Sequence, residues 1–577
     1  MSGILRWADD VVAVDVLVIG SGGAGAEAAI GADETGATVL VVDRGVNTRS
    51  GATVTAGHTC CAALGPGDSP ELHFEDTVRG GHFMANQRLV ETYVEEAPKR
   101  VVELDEWGAK FIKKDGEFQL IESPGGHSKS RAVHVGFLTG PAIMAALRRE
   151  LNRRKIEKMN DILITNLLTN ENCVVGATGL NLLNGNFIVF RAKATVLATG
   201  GAGQVYDWTT MALECTGDGY SLAYRAGAEL VDMEFVQFLL MQTDPRLMHL
   251  NCAVGLVLIP RWRRRIRESG VRLINALGED FIRRYDPKRA IYTTRDQTAI
   301  AVQTEMNEDR GPIYFDLTPV PREVLEEEFG DTPGSWLPDI QREGYDLGKD
   351  PIEVTLAAHH FMGGVRINER GETGVRGLYA AGEVAGGIHG SNRLGGNALT
   401  EIAVFGRIAG VNAARHALSS DPIGVREKQV RTERERVYRY IDEAPKKGES
   451  PTAVRKRLQK LMSSKVGVIR DGEGLKEAVK EILGLREYLP KVSLRSDARS
   501  YNSEWIEALL LPRMLDVAEM VARAALLRAE SRGAHYRADY PATDNKNWLK
   551  NIVLKHVEGE MRLTTRPVVV TKIAPEG

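Results

Sequence analysis

Val16-Leu17-Val18-Ile19-Gly20-Ser21-Gly22-Gly23-Ala24-Gly25-Ala26-Glu27-Ala28-Ala29 decides how the rest of the chain is read. A β-branched apolar run meets a glycine turn, and an alanine-rich helical pattern follows. Gly20, Gly22 and Gly25 stand at G-x-G-x-x-G spacing, with Gly23 and Ala24 between them. The first glycine permits a tight turn, the second lets a pyrophosphate approach the backbone, and the third lets helix pack on strand. The helix start then presents unpaired N–H groups and the positive end of its dipole to phosphate. A second strand, Thr38-Val39-Leu40-Val41-Val42, ends at Asp43, where a carboxylate can hold ribose hydroxyls. Strand, turn, helix, strand and acid in this order predict a βαβ nucleotide-binding unit.

The chain has 577 residues, room for roughly three or four structural units. Its hydrophobic fraction of 43% and charged fraction of 26% are those of a globular protein. A net charge of −3 gives no electrostatic reason to expect nucleic-acid binding. No apolar run reaches the length of a membrane span, and no basic-then-apolar signal pattern opens the chain, so a cytoplasmic location is expected. Attachment to a membrane would then run through a partner subunit. Five scattered cysteines, Cys60, Cys61, Cys173, Cys215 and Cys252, form no C-x-x-C pair. They argue against a disulfide framework, a zinc site or an iron–sulfur cluster held by this chain alone. Cys60 and Cys61 read as small buried apolar residues rather than as a redox pair.

After the opening unit comes the small-residue segment Arg49-Ser50-Gly51-Ala52-Thr53-Val54-Thr55-Ala56-Gly57, which lets backbone lie close against a flat ligand. Helical patterns occupy about 70 to 160, and a β region follows. Ala194-Thr195-Val196-Leu197-Ala198-Thr199-Gly200 is again a strand running into a glycine turn, which suggests a return to the first sheet. Arginine clusters and prolines between about 240 and 350 suggest an inserted domain. The sheet is expected to resume near Ile352, and a charged helical stretch fills about 415 to 530. The expected fold is α/β, a Rossmann-like domain at 1–240 and 351–415, a capping domain at 241–350, a helical domain at 416–530 and a mixed segment at 531–577.

Taken together, several distant pieces resemble the flavoprotein-subunit family of succinate dehydrogenase and fumarate reductase, which includes L-aspartate oxidase and adenylylsulfate reductase. The pieces are the glycine turn, Ala198 to Gly203, Thr216-Gly217-Asp218-Gly219, Met233 to Phe238, Thr294-Arg295-Asp296, His359 to Gly364, Ala380 to Leu399 and Glu530 to His535. The resemblance implies FAD, held by Gly20, Gly22, Gly23, Ala24, Gly25, Asp43, Arg44, Ser50, Gly51, Ala52, Thr53, Ala198, Thr199, Gly200, Asp218, Glu383, Asn397, Ala398 and Leu399. The helix opening near Asn397 would aim its positive end at the flavin and favour the reduced form. By motif, Arg295 is the capping-domain arginine that delivers a proton, and His359 and Arg393 are the carboxylate holders. Arginine clamps a carboxylate through two parallel bonds and histidine adds an oriented donor. An arginine can act as an acid only if neighbouring cations lower its pKa or the reacting carbon becomes strongly basic.

Three departures from the family pattern bear on function. The histidine that tethers FAD covalently in the dehydrogenases is absent from Ser50-Gly51-Ala52-Thr53, so dissociable FAD is expected. The usual His-Pro-Thr after Phe238 is replaced by Leu239-Leu240-Met241, which cannot hold a carboxylate. The stretch Arg261 to Gly270 is arginine-rich where the family often shows Arg-Gly-Glu-Gly-Gly, and Glu268 is the candidate for that proton-relaying glutamate. The first reading is therefore hydride transfer between FAD and a C=C or CH–CH bond of a small carboxylic acid, with an iron–sulfur partner subunit. The second keeps the flavin and changes the anionic substrate, as in adenylylsulfate reductase. A third, a non-catalytic FAD scaffold, sits poorly with Arg295, His359 and Arg393 together.

Overall fold

The computed structural model describes residues 6–122, 126–244, 247, 269–329, 337–443, 445 and 447–575. The opening stretch forms strand β1 (Asp10–Ile19), helix α1 (Gly23–Glu34) and strand β2 (Val39–Val42), as its pattern predicts. Phe187–Leu197 is β3, a long apolar strand lying beside β1 in parallel. Val236–Gln242 is β4, Arg295–Asn307 is α2 and Ile352–Phe361 is β5. Leu378–Ala380 is β6, Asn397–Ser419 is α3 and Ser503–Leu527 is α4.

In the seven-stranded sheet β1 lies between β2 and β3, and β6 also joins β3. The parallel register sets Ile19 beside Val42 and Leu197, and Leu197 beside Ala380. Four strands therefore end in one row, and each runs into one of the predicted ligand loops. That is where parallel α/β sheets bind ligands, because loops from the carboxyl ends leave a crevice there. A side chain at Gly20 would meet the Ala198 carbonyl oxygen at 2.3 Å, and Gly20 has φ +99°, so only glycine fits this crossing. Helix α3 packs on α1 closely enough that a Cβ at Gly410 would fall 1.9 Å from the Ala28 carbonyl.

The strand expected to return to this sheet at Ile352 does not do so. β5 pairs with β4, and with Ile313–Asp316 and Arg272–Ile274 it makes a separate four-stranded antiparallel sheet. Its own apolar core includes Leu240, Phe281, Val302 and Phe315. The first sheet regains the chain only at β6. Helices Glu427–Asp442, Pro451–Lys465, Gly472–Arg486 and α4 form the helical stretch. The last two strands, Lys550–Val557 and Glu560–Pro567, form a hairpin. Among the described residues no helix is long and apolar enough to cross a membrane, and no cluster of side chains could hold a metal ion.

Candidate active site

One cavity of about 600 Å³ runs from the glycine turn to the four-stranded sheet. At one end it is lined by Gly20, Gly22, Gly23, Ala24, Asp43, Arg44, Ser50, Gly51, Ala52 and Thr53. Ala198, Thr199, Gly200, Asp218, Glu383, Ala398 and Leu399 line it as well. Two sequence-predicted cofactor residues stand back from the wall. Gly25 packs helix on strand, since a Cβ there would lie 1.9 Å from the Gly20 carbonyl oxygen. Asn397 turns its amide away, to His73 Nε2 at 3.0 Å and Thr77 Oγ1 at 3.1 Å.

The cavity residues suit a dinucleotide. Added bulk at Gly22 would meet only Thr53 Oγ1, at 3.6 Å, so the backbone there stays open to a phosphate. Helix α1 has no side-chain cap, and neither has α3, whose first turn carries the cavity-lining Ala398 and Leu399. Both helix starts thus present a positive dipole end, although the first N–H of each is taken, Gly23 N by Thr53 Oγ1 at 3.2 Å and Asn397 N by the Leu394 carbonyl at 3.4 Å. Asp43 accepts from Ser21 N at 2.7 Å, Ser21 Oγ at 2.6 Å and Gly45 N at 2.8 Å, which fixes its carboxylate while leaving a lone pair on Oδ1 for a ribose. Arg44 donates to Thr216 Oγ1 and Asp218 Oδ2, locking the Thr216-Gly217-Asp218 turn. Thr199 Oγ1, Glu401 Oε1 and Arg393 Nε are buried without a hydrogen-bonding partner among the described residues, and each residue lines the cavity. Buried polar atoms left unpaired are costly, so the orphans mark where a polar ligand completes the structure. Burial pushes the Glu383 carboxyl up to about 7, against the Phe361 N–H that donates to it at 2.8 Å. Burial likewise pushes Glu401 up to about 8.

The other end carries Arg295, His359, His360, Arg393, Thr210, Phe137 and His58. The β4–β5 register passes from Gln237 opposite His360 to Phe238 opposite Ala358, which leaves His359 as the extra residue of a bulge. A bulge re-aims a side chain, and here it brings two consecutive histidines to the same cavity. Thr210 Oγ1 lies 2.7 Å from His359 Nδ1 and fixes the ring, leaving Nε2 for a ligand. His360 Nδ1 lies 3.5 Å from Glu383 Oε1. Arg295 opens α2, and its Nη1 donates to Gln237 Oε1 at 3.0 Å. Arg393 Nη2 donates to the same oxygen at 3.3 Å. Gln237 Nε2 in turn donates to Asn392 Oδ1 at 2.9 Å and to the Arg393 carbonyl at 3.0 Å. Asp296 does not pair with its neighbour Arg295; it faces His82 Nε2 at 3.3 Å.

Burial, then the charge of Arg393, holds Arg295 well below the usual arginine range. Burial brings Arg393 down to about 10. His359 is held well below the histidine range by burial, then by Arg393, Arg295 and His58, so it is neutral at pH 7. Burial and a second cation nearby both make release of a proton from Arg295 less costly than from an exposed arginine. Leu239, Leu240 and Met241 are buried in β4 and do not line the cavity. Cys60 and Cys61 are buried thiols at successive positions of the strand Thr59–Cys61, so their side chains point to opposite faces. Glu268, the Arg261 to Arg267 run and Cys252 lie outside the described residues. Gln237, Thr210, Glu401 and His58 are not singled out by the sequence. Only Gln237 falls inside one of the family motifs, where a glutamine on a strand reads as an ordinary polar position.

Fold and cavity define an FAD-dependent oxidoreductase. Residues 15–399 match the family model described as FAD binding domain, and 455–577 match that of the fumarate reductase flavoprotein C-term. The chain belongs to the flavoprotein-subunit family of fumarate reductase and succinate dehydrogenase. It is 40% identical to the homologous subunit of the fumarate reductase (CoM/CoB) of Methanothermobacter marburgensis, over 94% of this chain and 96% of that one. A solved quinol fumarate reductase FrdA variant of E. coli superposes with a TM-score of 0.89 at 28% identity, covering 98% of this chain and 99% of that one. Sdh1 of Mycobacterium smegmatis in complex with UQ1 superposes with a TM-score of 0.86 at 34% identity, covering 98% and 96%.

Proposed function

We propose that this chain reduces the activated C=C bond of a small carboxylic acid related to fumarate, or oxidises its saturated partner. Electrons would be exchanged through an iron–sulfur subunit, since no cysteine grouping here suits a cluster. One observation carries the reading: two buried guanidiniums, Arg295 and Arg393, share a neutral amide oxygen and neither is ion-paired among the described residues. A buried charge without a counter-ion costs several kcal/mol, so the pair is built to receive an anion.

Bound FAD supplies the two-electron redox chemistry at the isoalloxazine ring. Gly20, Gly22, Gly23, Ala24, Asp43, Arg44, Ser50 to Thr53, Ala198 to Gly200, Asp218, Glu383, Ala398 and Leu399 would form its cradle, and Gly51 offers no side chain for a covalent tether. His359 Nε2 and the Arg393 guanidinium hold a substrate carboxylate, and Gln237 sets the angle of Arg393. Arg295 donates a proton from its guanidinium to the substrate carbon; its lowered proton affinity makes that transfer less uphill. The unit of β4, β5 and α2 covers the site and keeps water from competing for the proton. Reduced viologen with fumarate tests the reading. Turnover supports it; none with fumarate or other C4 acids gives the site to another anion.

A further inference from the structure

We propose that Glu401 binds FAD as a neutral carboxylic acid, donating its own proton to a pyrophosphate oxygen of the cofactor. Glu401 lies near the start of α3 and is 2% exposed, yet it lines the cavity. Among the described residues its Oε1 has no hydrogen-bonding partner, and no cation acts on its carboxyl. Its neighbours fix its place along the cavity. Ile402, the next residue, covers Gly23 so closely that a Cβ there would lie 2.3 Å from Ile402 Cδ1. Gly382, whose N–H faces the Glu401 carboxyl, packs on Ala24, where its own Cβ would lie 2.8 Å from that of the alanine. Gly23 and Ala24 open α1 at the glycine turn made for a pyrophosphate, so Glu401 stands at the phosphate end.

Chemistry then sets the protonation state. Phosphate oxygens only accept hydrogen bonds, and so does a carboxylate, so the two would repel and neither would find a donor. A carboxylic acid in the same place supplies the missing hydrogen. The ionisable groups on the elements packed against α3 leave it free to do so. Glu27 of α1 and Glu103 of the helix Gln87–Leu104 pair with Arg407, and Arg100 of that helix pairs with Glu103. Cys60 of the strand Thr59–Cys61 and Tyr93 stay protonated, burial raising both. Glu383, in the turn after β6, does act on Glu401, and as a like charge it favours the acid form, as burial does. Held up at about 8, the carboxyl carries its proton at pH 7 before FAD binds.

Dissociation of FAD from the loaded full-length protein, read as the return of free-flavin fluorescence on dilution, tests this. Below about pH 8 the carboxyl already carries its proton; above it, binding must take one up, so affinity falls by up to about tenfold per pH unit. Wild-type affinity should therefore drop about tenfold or more between roughly pH 7.5 and pH 9.5. E401Q keeps an N–H donor that never ionises. It should bind FAD within about threefold of wild type at the lower pH and change by less than about threefold at the higher one. E401L loses the donor, so its affinity should be about tenfold or more below wild type at the lower pH, with no such slope. Wild-type affinity that stays flat across this range overturns the assignment without recourse to any variant. A slope in E401Q equal to that of wild type overturns it too, as does E401Q binding no better than E401L at the lower pH.

Discussion

Gln237 Oε1 lies 3.0 Å from Arg295 Nη1 and takes a second bond from Arg393 Nη2, so a neutral amide sets the spacing of two buried cations. Removing the amide in Q237L would leave both guanidiniums without their shared acceptor. Hydrogen bonds to charged groups contribute about 1.5–3 kcal/mol, so kcat/KM for fumarate should fall roughly 10- to 100-fold. Q237E should also lose activity, because a carboxylate there would pair with the arginines and compete with substrate. Steady-state kinetics with reduced viologen reads both; unimpaired turnover in Q237L would show the spacing to be incidental.

Arg295 is the proposed acid. R295K keeps the positive charge but loses the planar geometry and the second N–H, so kcat should drop about 10²- to 10⁴-fold. Flavin content should match that of the wild type, because the Arg295 side chain bonds to Gln237 of β4 rather than to a residue of the glycine turn. A variant that loses flavin and rate together would make Arg295 part of the cofactor cradle instead.

Gly51 has φ +86° and no neighbour within 4 Å of where a side chain would start. Nothing at that position can bond to the cofactor, so the flavin should be released by acid. After precipitation with trichloroacetic acid the yellow colour should stay in the supernatant; flavin in the pellet would mean a tether through another residue.

Acid should destabilise the fold. His73, His127, His359, His360, His389 and His535 are deeply buried and held below the ordinary histidine range, burial being the first cause in each; His127 and His389 fall to about 3. A depressed folded pKa means the unfolded chain takes up these protons as pH falls through about 6.5 while the folded chain does not, and stability is lost there. Buried Glu27, Asp232, Glu383 and Glu401 act the other way: burial raises them, Glu27 and Glu383 to about 7 and Glu401 to about 8. Between pH 7 and 5.5 the two sets nearly offset each other; below about pH 5.5 the unfolded histidines are fully charged, six oppose four, and the urea midpoint should be lower at pH 4.5 than at pH 5.5. Each net proton is worth on the order of 1 kcal/mol per pH unit. An unchanged or higher midpoint at pH 4.5 would contradict this balance.

The nucleotide-binding half was legible because its physics is local. A β-branched strand, a glycine turn and a helix start are written in consecutive residues, and the register of β1, β2 and β3 follows. Arg295, His359 and Arg393 were reached through motifs and do line one cavity. The bulge that turns His359 inward was not legible, since it depends on which residue β4 sets opposite Ala358. Nor was Gln237, whose importance arises from two arginines 58 and 156 positions away. The misplacement of β5 has the same origin: an apolar strand does not declare which sheet it will join.

Just ahead of β4, Glu234 is fully buried against Arg528 at 2.6 Å, and its carbonyl accepts from Arg470 at 2.7 Å. Arg528 also reaches Glu530 and the backbone of Trp548 and Lys550. The strand that carries Gln237 is thus moored to the closing stretch of the chain. Damage around Arg528 and Glu530, far along the sequence from the cavity, will be read out as a displaced Gln237 and the two guanidiniums it spaces rather than as a loose end.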